Sequence, residues 1–211
     1  QSSKWDSIDE RRSLIAILDY GSGNLRSAQR AFEVASANVV VTRDAKTCSE
    51  ASALIVPGVG AFAACMEQLA QVGGVEIIAD RVAKARPIFG ICVGMQILFQ
   101  SSSEKKETQG LGVLPGKVSE LKAPVLPHMG WNSVAPAHNS KLFKGVEDQS
   151  FYFVHSYAAK NSIPDATNTI TNYGEDFLAA VEKDFVVATQ FHPEKSGAAG
   201  AKLIANWVKT L

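Results

Sequence analysis

The chain has 211 residues, 46% apolar and 20% charged, with 21 Lys and Arg balanced by 21 Asp and Glu. A net charge of zero offers no long-range field for a phosphate backbone or an anionic membrane, so either partner would need a local basic patch. The apolar fraction excludes a disordered chain, and no window approaches the ~18 consecutive apolar residues of a membrane span. The length fits one domain, able to bury about 70% of its unfolded surface without disulfide staples. Cys48, Cys65 and Cys92 are widely spaced and odd in number, which makes neither a disulfide framework nor a CxxC clip and points to a reducing cytoplasm. His128, His138, His155 and His192 are equally dispersed, so no sequence-local metal site and no cofactor are expected.

In chain order, residues 1–12 are polar, without periodicity and without an apolar run of signal-peptide length. A start at Gln rather than Met suggests processing or an expression remnant. The segment is expected to be poorly ordered, with Trp5 as a potential tether. From Leu14 an apolar run through Leu18 reads as a buried strand ending in the turn Asp19–Gly23, followed by a helix capped near Asn24 and running to about Val34. Strands at 38–42 and 53–56, helices at 61–70 and 75–85, and a strand at 87–91 leading into Cys92 and a helix to about Gln100 complete the first half. Alternation of this kind predicts an α/β fold, with a mainly parallel sheet covered by helices on both faces. Strand-like stretches at 113–121, 151–157, 167–173, 177–181 and 185–190 predict an antiparallel extension, closed by a helix over 198–208. No repeat, low-complexity tract or linker divides the chain, so residues 13–211 are read as a single domain.

The most informative run is Phe89-Gly90-Ile91-Cys92-Val93-Gly94. Glycines two positions to either side of a residue between a strand and a helix are the signature of a nucleophile elbow, here with cysteine. The tight turn requires small neighbours, and a helix N-terminus, through its dipole and free N–H groups, favours the thiolate. A core cysteine between packing glycines is the alternative. His192-Pro193-Glu194 follows a strand, and in extended backbone its first and third residues share a side, so His192 can face the thiol while Glu194 holds its far nitrogen. Alone, such a pair also fits a solvated loop. Pro57-Gly58-Val59-Gly60 leaves the strand at 53–56, where backbone N–H groups could join that of Val93 around an oxyanion; an ordinary strand-exit turn reads the same way.

Together these residues resemble the class I (triad) glutamine amidotransferases, from about Leu14 to the C-terminus. The segments Asp19–Leu25, Pro57–Phe62, Pro127–Asn132, Tyr152–Tyr157 and Gln190–Gly197 narrow the resemblance to the glutaminase subunits of imidazole glycerol phosphate synthases, which serve histidine biosynthesis. The resemblance implies a flavodoxin-like amidotransferase fold and a Cys92–His192–Glu194 triad that hydrolyses glutamine through a glutamyl thioester. It also implies an oxyanion hole from Val59, Gly60 and Val93 whose turn acts as a switch. Glutamine would be held by Gly58, Gln96, Glu104 and the backbone of His155, Ser156 and Tyr157. With no phosphate loop and no length for a second catalytic domain, the ammonia needs an acceptor elsewhere. The resemblance implies a (β/α)8-barrel cyclase subunit in a heterodimer, faced by Trp131, Tyr152 and Lys195; outside the resemblance an aromatic such as Trp131 in a turn reads as core packing. Other readings are a glutaminase of pyridoxal phosphate synthesis, a non-catalytic protein of the same fold, and a cysteine peptidase or other hydrolase using the elbow.

Overall fold

A computed structural model describes residues 14–36 and 38–211; the expectations for residues 1–12 and Trp5 lie outside the described residues. The first half runs β1 (Ile15–Leu18), α1 (Leu25–Ala35), β2 (Val39–Thr42), α2 (Ala45–Glu50), β3 (Ala53–Val56), α3 (Phe62–Gln71), α4 (Gly74–Ala83), β4 (Ile88–Ile91) and α5 (Val93–Gln96). The second half adds β5 (Ser101–Ser102), β6 (Thr108–Gln109), β7 (Lys117–Glu120), β8 (His128–Ser133), β9 (Ala135–Pro136), β10 (Ser150–His155), β11 (Tyr157–Ala159), β12 (Thr167–Asn172), β13 (Asp176–Lys183), β14 (Val186–Thr189) and α6 (Gly197–Val208).

One sheet has the order β2-β1-β3-β4-β14-β13-β12-β9. Its first five strands are mutually parallel, and the last three add antiparallel neighbours. β1, β3 and β4 are buried along their whole length, the pattern of strands covered on both faces. On one face Phe89 of β4 meets Phe32 of α1 and Trp207 of α6 edge-on, with centroids 5.0–5.8 Å apart. At the bottom of the sheet Arg81 of α4, fully buried, spends its guanidinium on the carbonyls of Cys48, Ala51 and Pro87 at 2.8–2.9 Å.

Four local expectations change. The helix after Cys92 lasts one turn rather than reaching Gln100, because the Leu98 and Phe99 amides bond three residues back, to Met95 and Gln96, and the carbonyls of Ile97, Leu98, Phe99 and Gln100 then accept from Leu111, Leu114, Gly112 and Gly110. The same bonds keep residues 111–114 out of a strand, so β7 begins only at Lys117. The stretch 151–157 is two strands, not one: β10 pairs with β8, β11 pairs with β7, and Ser156 is the corner between two sheets. β8 itself, with glycine at its third position and alternating burial, was not expected as a strand.

Candidate active site

Cys92 sits where β4 ends, at φ 57° and ψ −117°, a backbone that costs a non-glycine residue about 1–3 kcal/mol. Its amide donates to the Thr189 carbonyl of β14 at 2.8 Å. The flanking glycines are steric requirements: a Cβ on Gly94 would lie 1.9 Å from the Val56 carbonyl oxygen, and one on Gly90 would lie 2.7 Å from that of Gly94. The expected support of the thiolate by a helix dipole is corrected, since a single turn sums few peptide dipoles. The Val93 N–H is also committed elsewhere, to the Gly58 carbonyl at 3.1 Å.

His192 lies at the exit of β14, its N–H held by the Tyr152 carbonyl at 2.9 Å. Its Nδ1 meets Glu194 Oε1 at 2.6 Å, with both side chains almost fully buried. The extended geometry expected across Pro193 is corrected: residues 193–195 form a 3-10 turn, because proline's fixed φ suits a helix start and the Lys195 and Ser196 amides bond back to His192 and Pro193. Glu194 therefore reaches His192 from within a turn. Nε2 is buried without a hydrogen-bond partner, as is Glu194 Oε2. Burial works against charge on the imidazole, but the Cys92 sulfur and the Glu194 carboxylate outweigh it and push its pKa up to about 10.

Cys92 and His192 open onto a cleft of about 330 Å³. Val59, Gly60, Val93, Gln96, Glu104, His155, Ser156, Tyr157 and Lys195 are among the residues that line it. Glu194 stands behind His192, and Gly58 lies outside the lining; Trp131 and Tyr152 are also outside, on the β8–β10 pair. Trp131 is 59% exposed rather than core-packed, beside exposed Met129 and edge-on to Tyr152 at 6.1 Å. A larger cavity, about 670 Å³ between Leu142, Glu182 and Trp207, contains none of the expected site residues.

Hydrogen bonds qualify several assignments. Gln96 Nε2 donates to the Tyr157 carbonyl at 2.9 Å and to Gln190 Oε1 at 3.1 Å, so its amide hydrogens are spent on the protein. Glu104 accepts from the Phe62 amide at 3.1 Å, where α3 begins. Two of the three expected oxyanion donors are engaged: Val93 as above, and the Val59 N–H with Ser22 Oγ at 3.0 Å.

Sequence reasoning missed Gln190 and His128. Gln190 Nε2 approaches Cys92 Sγ at 3.9 Å; its place two residues before His192, on the same side of an extended stretch, was the available signal. His128 Nδ1 bonds His155 Nε2 at 2.9 Å, and His155 Nδ1 bonds the Tyr157 carbonyl at 2.9 Å. A carbonyl only accepts, so His155 carries its proton on Nδ1 and His128 donates from Nδ1. His128 is also stacked between Tyr173 and Phe153, at 4.1 and 4.8 Å. Burial lowers the pKa of both imidazoles to about 4. Among the described residues no His, Cys, Asp and Glu group is gathered that could hold a metal ion, and no helix is long and apolar enough to cross a membrane.

The family model "Glutamine amidotransferase class-I" matches residues 16–211. The chain is 56% identical over 201 residues to imidazole glycerol phosphate synthase subunit HisH of Mycobacterium bovis, covering 93% of this chain and 98% of that protein. It is 50% identical over 204 residues to the subunit of the same name from Corynebacterium glutamicum, covering 92% and 97%. Among solved structures it resembles a glutamine amidotransferase (TM-score 0.74, 18% identity, covering 94% of this chain and 100% of that one). It also resembles a glutamine amidotransferase from Thermotoga maritima (TM-score 0.60, 18% identity, covering 94% of this chain and 82% of that one).

Proposed function

The chain belongs to the class I glutamine amidotransferase family, and from that premise we propose how its residues perform the reaction. Its activity is that of a glutaminase subunit of an imidazole glycerol phosphate synthase, supplying ammonia to a cyclase subunit in histidine biosynthesis. In our reading, Cys92 Sγ attacks the side-chain amide carbon of glutamine, and His192 Nε2 passes a proton to the departing ammonia. The glutamyl thioester is then hydrolysed by a water that His192 deprotonates, releasing glutamate. Glu194 holds the imidazole through Nδ1 and stabilises its charge. The observation that carries this reading is the convergence, in one cleft, of a strained strand-end thiol and a buried His–Glu pair from the exit of β14.

Val59, Gly60 and Val93 supply the oxyanion donors once the Gly58–Gly60 turn reorients, since the Val59 and Val93 amides are engaged at rest. Glutamine's amino-acid end rests against Gly58, Gln96, Glu104 and the His155–Tyr157 corner. Residues 13–211 act as one domain. The cyclase subunit is a (β/α)8 barrel that covers Trp131, Tyr152 and Lys195, makes imidazole glycerol phosphate and AICAR, and receives ammonia through a dry passage that keeps it unprotonated. We place the pair in the cytoplasm, with no nucleic acid, membrane or cofactor involved. The test is Cys92→Ala: glutamine hydrolysis is lost, while synthesis by the complex from added ammonium salts continues. Retained hydrolysis refutes Cys92 as the nucleophile.

A further inference from the structure

Gln190 is fully buried beside the nucleophile and is not a member of the triad. Gln190 and Cys92 are the residues that follow the last matched pair of two neighbouring parallel strands, Ile91 of β4 and Thr189 of β14, so they leave the sheet at the same level. The Gln190 amide is engaged at both ends. Its Oε1 accepts from Gln96 Nε2 at 3.1 Å, and its Nε2 donates to Cys92 Sγ at 3.9 Å, at the long end for a bond to sulfur.

Which end of that amide faces the sulfur is decided one side chain further on, at the Tyr157 carbonyl. A carbonyl only accepts, so Gln96 must turn its Nε2 toward it, at 2.9 Å. The other hydrogen on Gln96 Nε2 then calls for the oxygen of Gln190, which leaves the Gln190 Nε2 for Cys92. A flipped Gln190 would set N–H against N–H at Gln96 and its oxygen against the lone pairs of the sulfur. A neutral thiol is a weak acceptor and compensates a buried amide donor poorly, whereas an ionised acceptor binds the same N–H about twice as strongly. The thiol form has a partner of its own, since Sγ donates to the Val154 carbonyl at 3.9 Å. The Gln190 N–H is therefore matched to the anionic sulfur rather than to the resting thiol.

We infer that Gln190 is a further catalytic residue, whose side-chain N–H steadies the negative sulfur of Cys92 and is aimed there by the Tyr157 carbonyl acting through Gln96. When Sγ passes its proton to His192 Nε2, a buried nitrogen with no hydrogen-bond partner, the sulfur gains a charge and the Gln190 contact strengthens with it. The charge leaves the sulfur as the carbon–sulfur bond of the thioester forms and returns as water breaks that bond. Gln190 touches the reacting atom throughout, while Gln96 acts on the sulfur only as a positioning residue. The inference deepens the glutaminase reading above and rests on Cys92 as its nucleophile.

The test measures two rates at one pH on the full chain in complex with the cyclase subunit and its ribonucleotide substrate. One is glutamine hydrolysis; the other is alkylation of Cys92 by iodoacetamide without glutamine, read by mass spectrometry of the Cys92 peptide. Gln190→Met keeps the length of the side chain and removes the donor. Both kcat and the alkylation rate should fall about 2- to 12-fold, the range one hydrogen bond supports. KM should stay within about twofold, because Gln96 keeps its bond to the Tyr157 carbonyl. A merely structural role in the glutamine pocket would raise KM and spare alkylation, so alkylation less than about twofold slower in a folded Gln190→Met variant overturns the inference. Gln96→Met leaves Gln190 its donor but not its orientation, and should slow alkylation about twofold; it carries the test should Gln190→Met not fold. In the double variant the loss should equal that of Gln190→Met alone, and losses that multiply overturn the relay through Gln96. Cys92→Ala separates the two failures: if it is inactive while Gln190→Met alkylates like wild type, only the role of Gln190 falls, whereas if it still hydrolyses glutamine the nucleophile assignment itself has failed.

Discussion

Glu194→Gln isolates the charge behind the imidazole while keeping its shape. At 2.6 Å the gross attraction between an imidazolium and a carboxylate is about 6 kcal/mol for an effective dielectric constant of about 20. Desolvation of two buried ions takes back several kcal/mol. What survives can be read from the imidazole: a pKa of about 10 against an ordinary 6.5 is roughly 5 kcal/mol of preference for the charged ring, after burial has taken its share. Cys92 and Glu194 provide that preference together. Losing a charge-assisted hydrogen bond costs about 1.5–3 kcal/mol, so the variant should lose about 10- to 100-fold in kcat/KM. The assay is glutamate release by the complex at saturating cyclase ligand, with ammonium-driven synthesis as the control that should not change. The same pair has a stability signature. Because the folded pKa lies above the unfolded value, its contribution is full below about pH 6.5 and is lost as pH rises through about 10. The stability gap between wild type and Glu194→Gln should therefore close over that range. Glutaminase activity within fivefold of wild type, or a gap that widens with pH, would refute the argument.

Arg81→Met leaves the Cys48, Ala51 and Pro87 carbonyls without their shared donor in a fully buried site. With the Cys48 and Ala51 carbonyls left unsatisfied, the expected cost is about 2–6 kcal/mol, or a thermal midpoint lower by roughly 10 °C, read by calorimetry. The His128–His155 pair makes the opposite pH prediction to His192. With folded pKa values of about 4, the unfolded chain binds the extra protons, so stability is full above about pH 6.5 and falls as pH drops toward 4. His128→Phe, which keeps a ring between Tyr173 and Phe153, should show a smaller loss of urea midpoint between pH 7 and pH 5; an equal loss would show that His128 does not titrate with folding.

The parallel half of the fold was legible because its causes are local. Apolar runs such as Ile15–Leu18 and Ala53–Val56 are buried on both faces, and Asn24 caps α1 with its own side chain. The elbow was legible because a sharp strand-to-helix turn leaves room for glycine alone at Gly90 and Gly94, a requirement written directly into residue type. What stayed hidden was decided by partners distant in the chain. The helix after Cys92 gives way to a tighter turn whose following carbonyls, of Ile97 to Gln100, are taken by residues 110–114, and nothing between Val93 and Gln100 announces that. The corner at Ser156 exists because β10 and β11 find different neighbours, β8 and β7. Sequence alone thus singled out Cys92, His192 and the turn beside them. Tertiary structure alone decided the state of that turn, since a peptide's orientation depends on which hydrogen-bond partner the fold brings to it, and Ser22 stands 37 residues away from Val59.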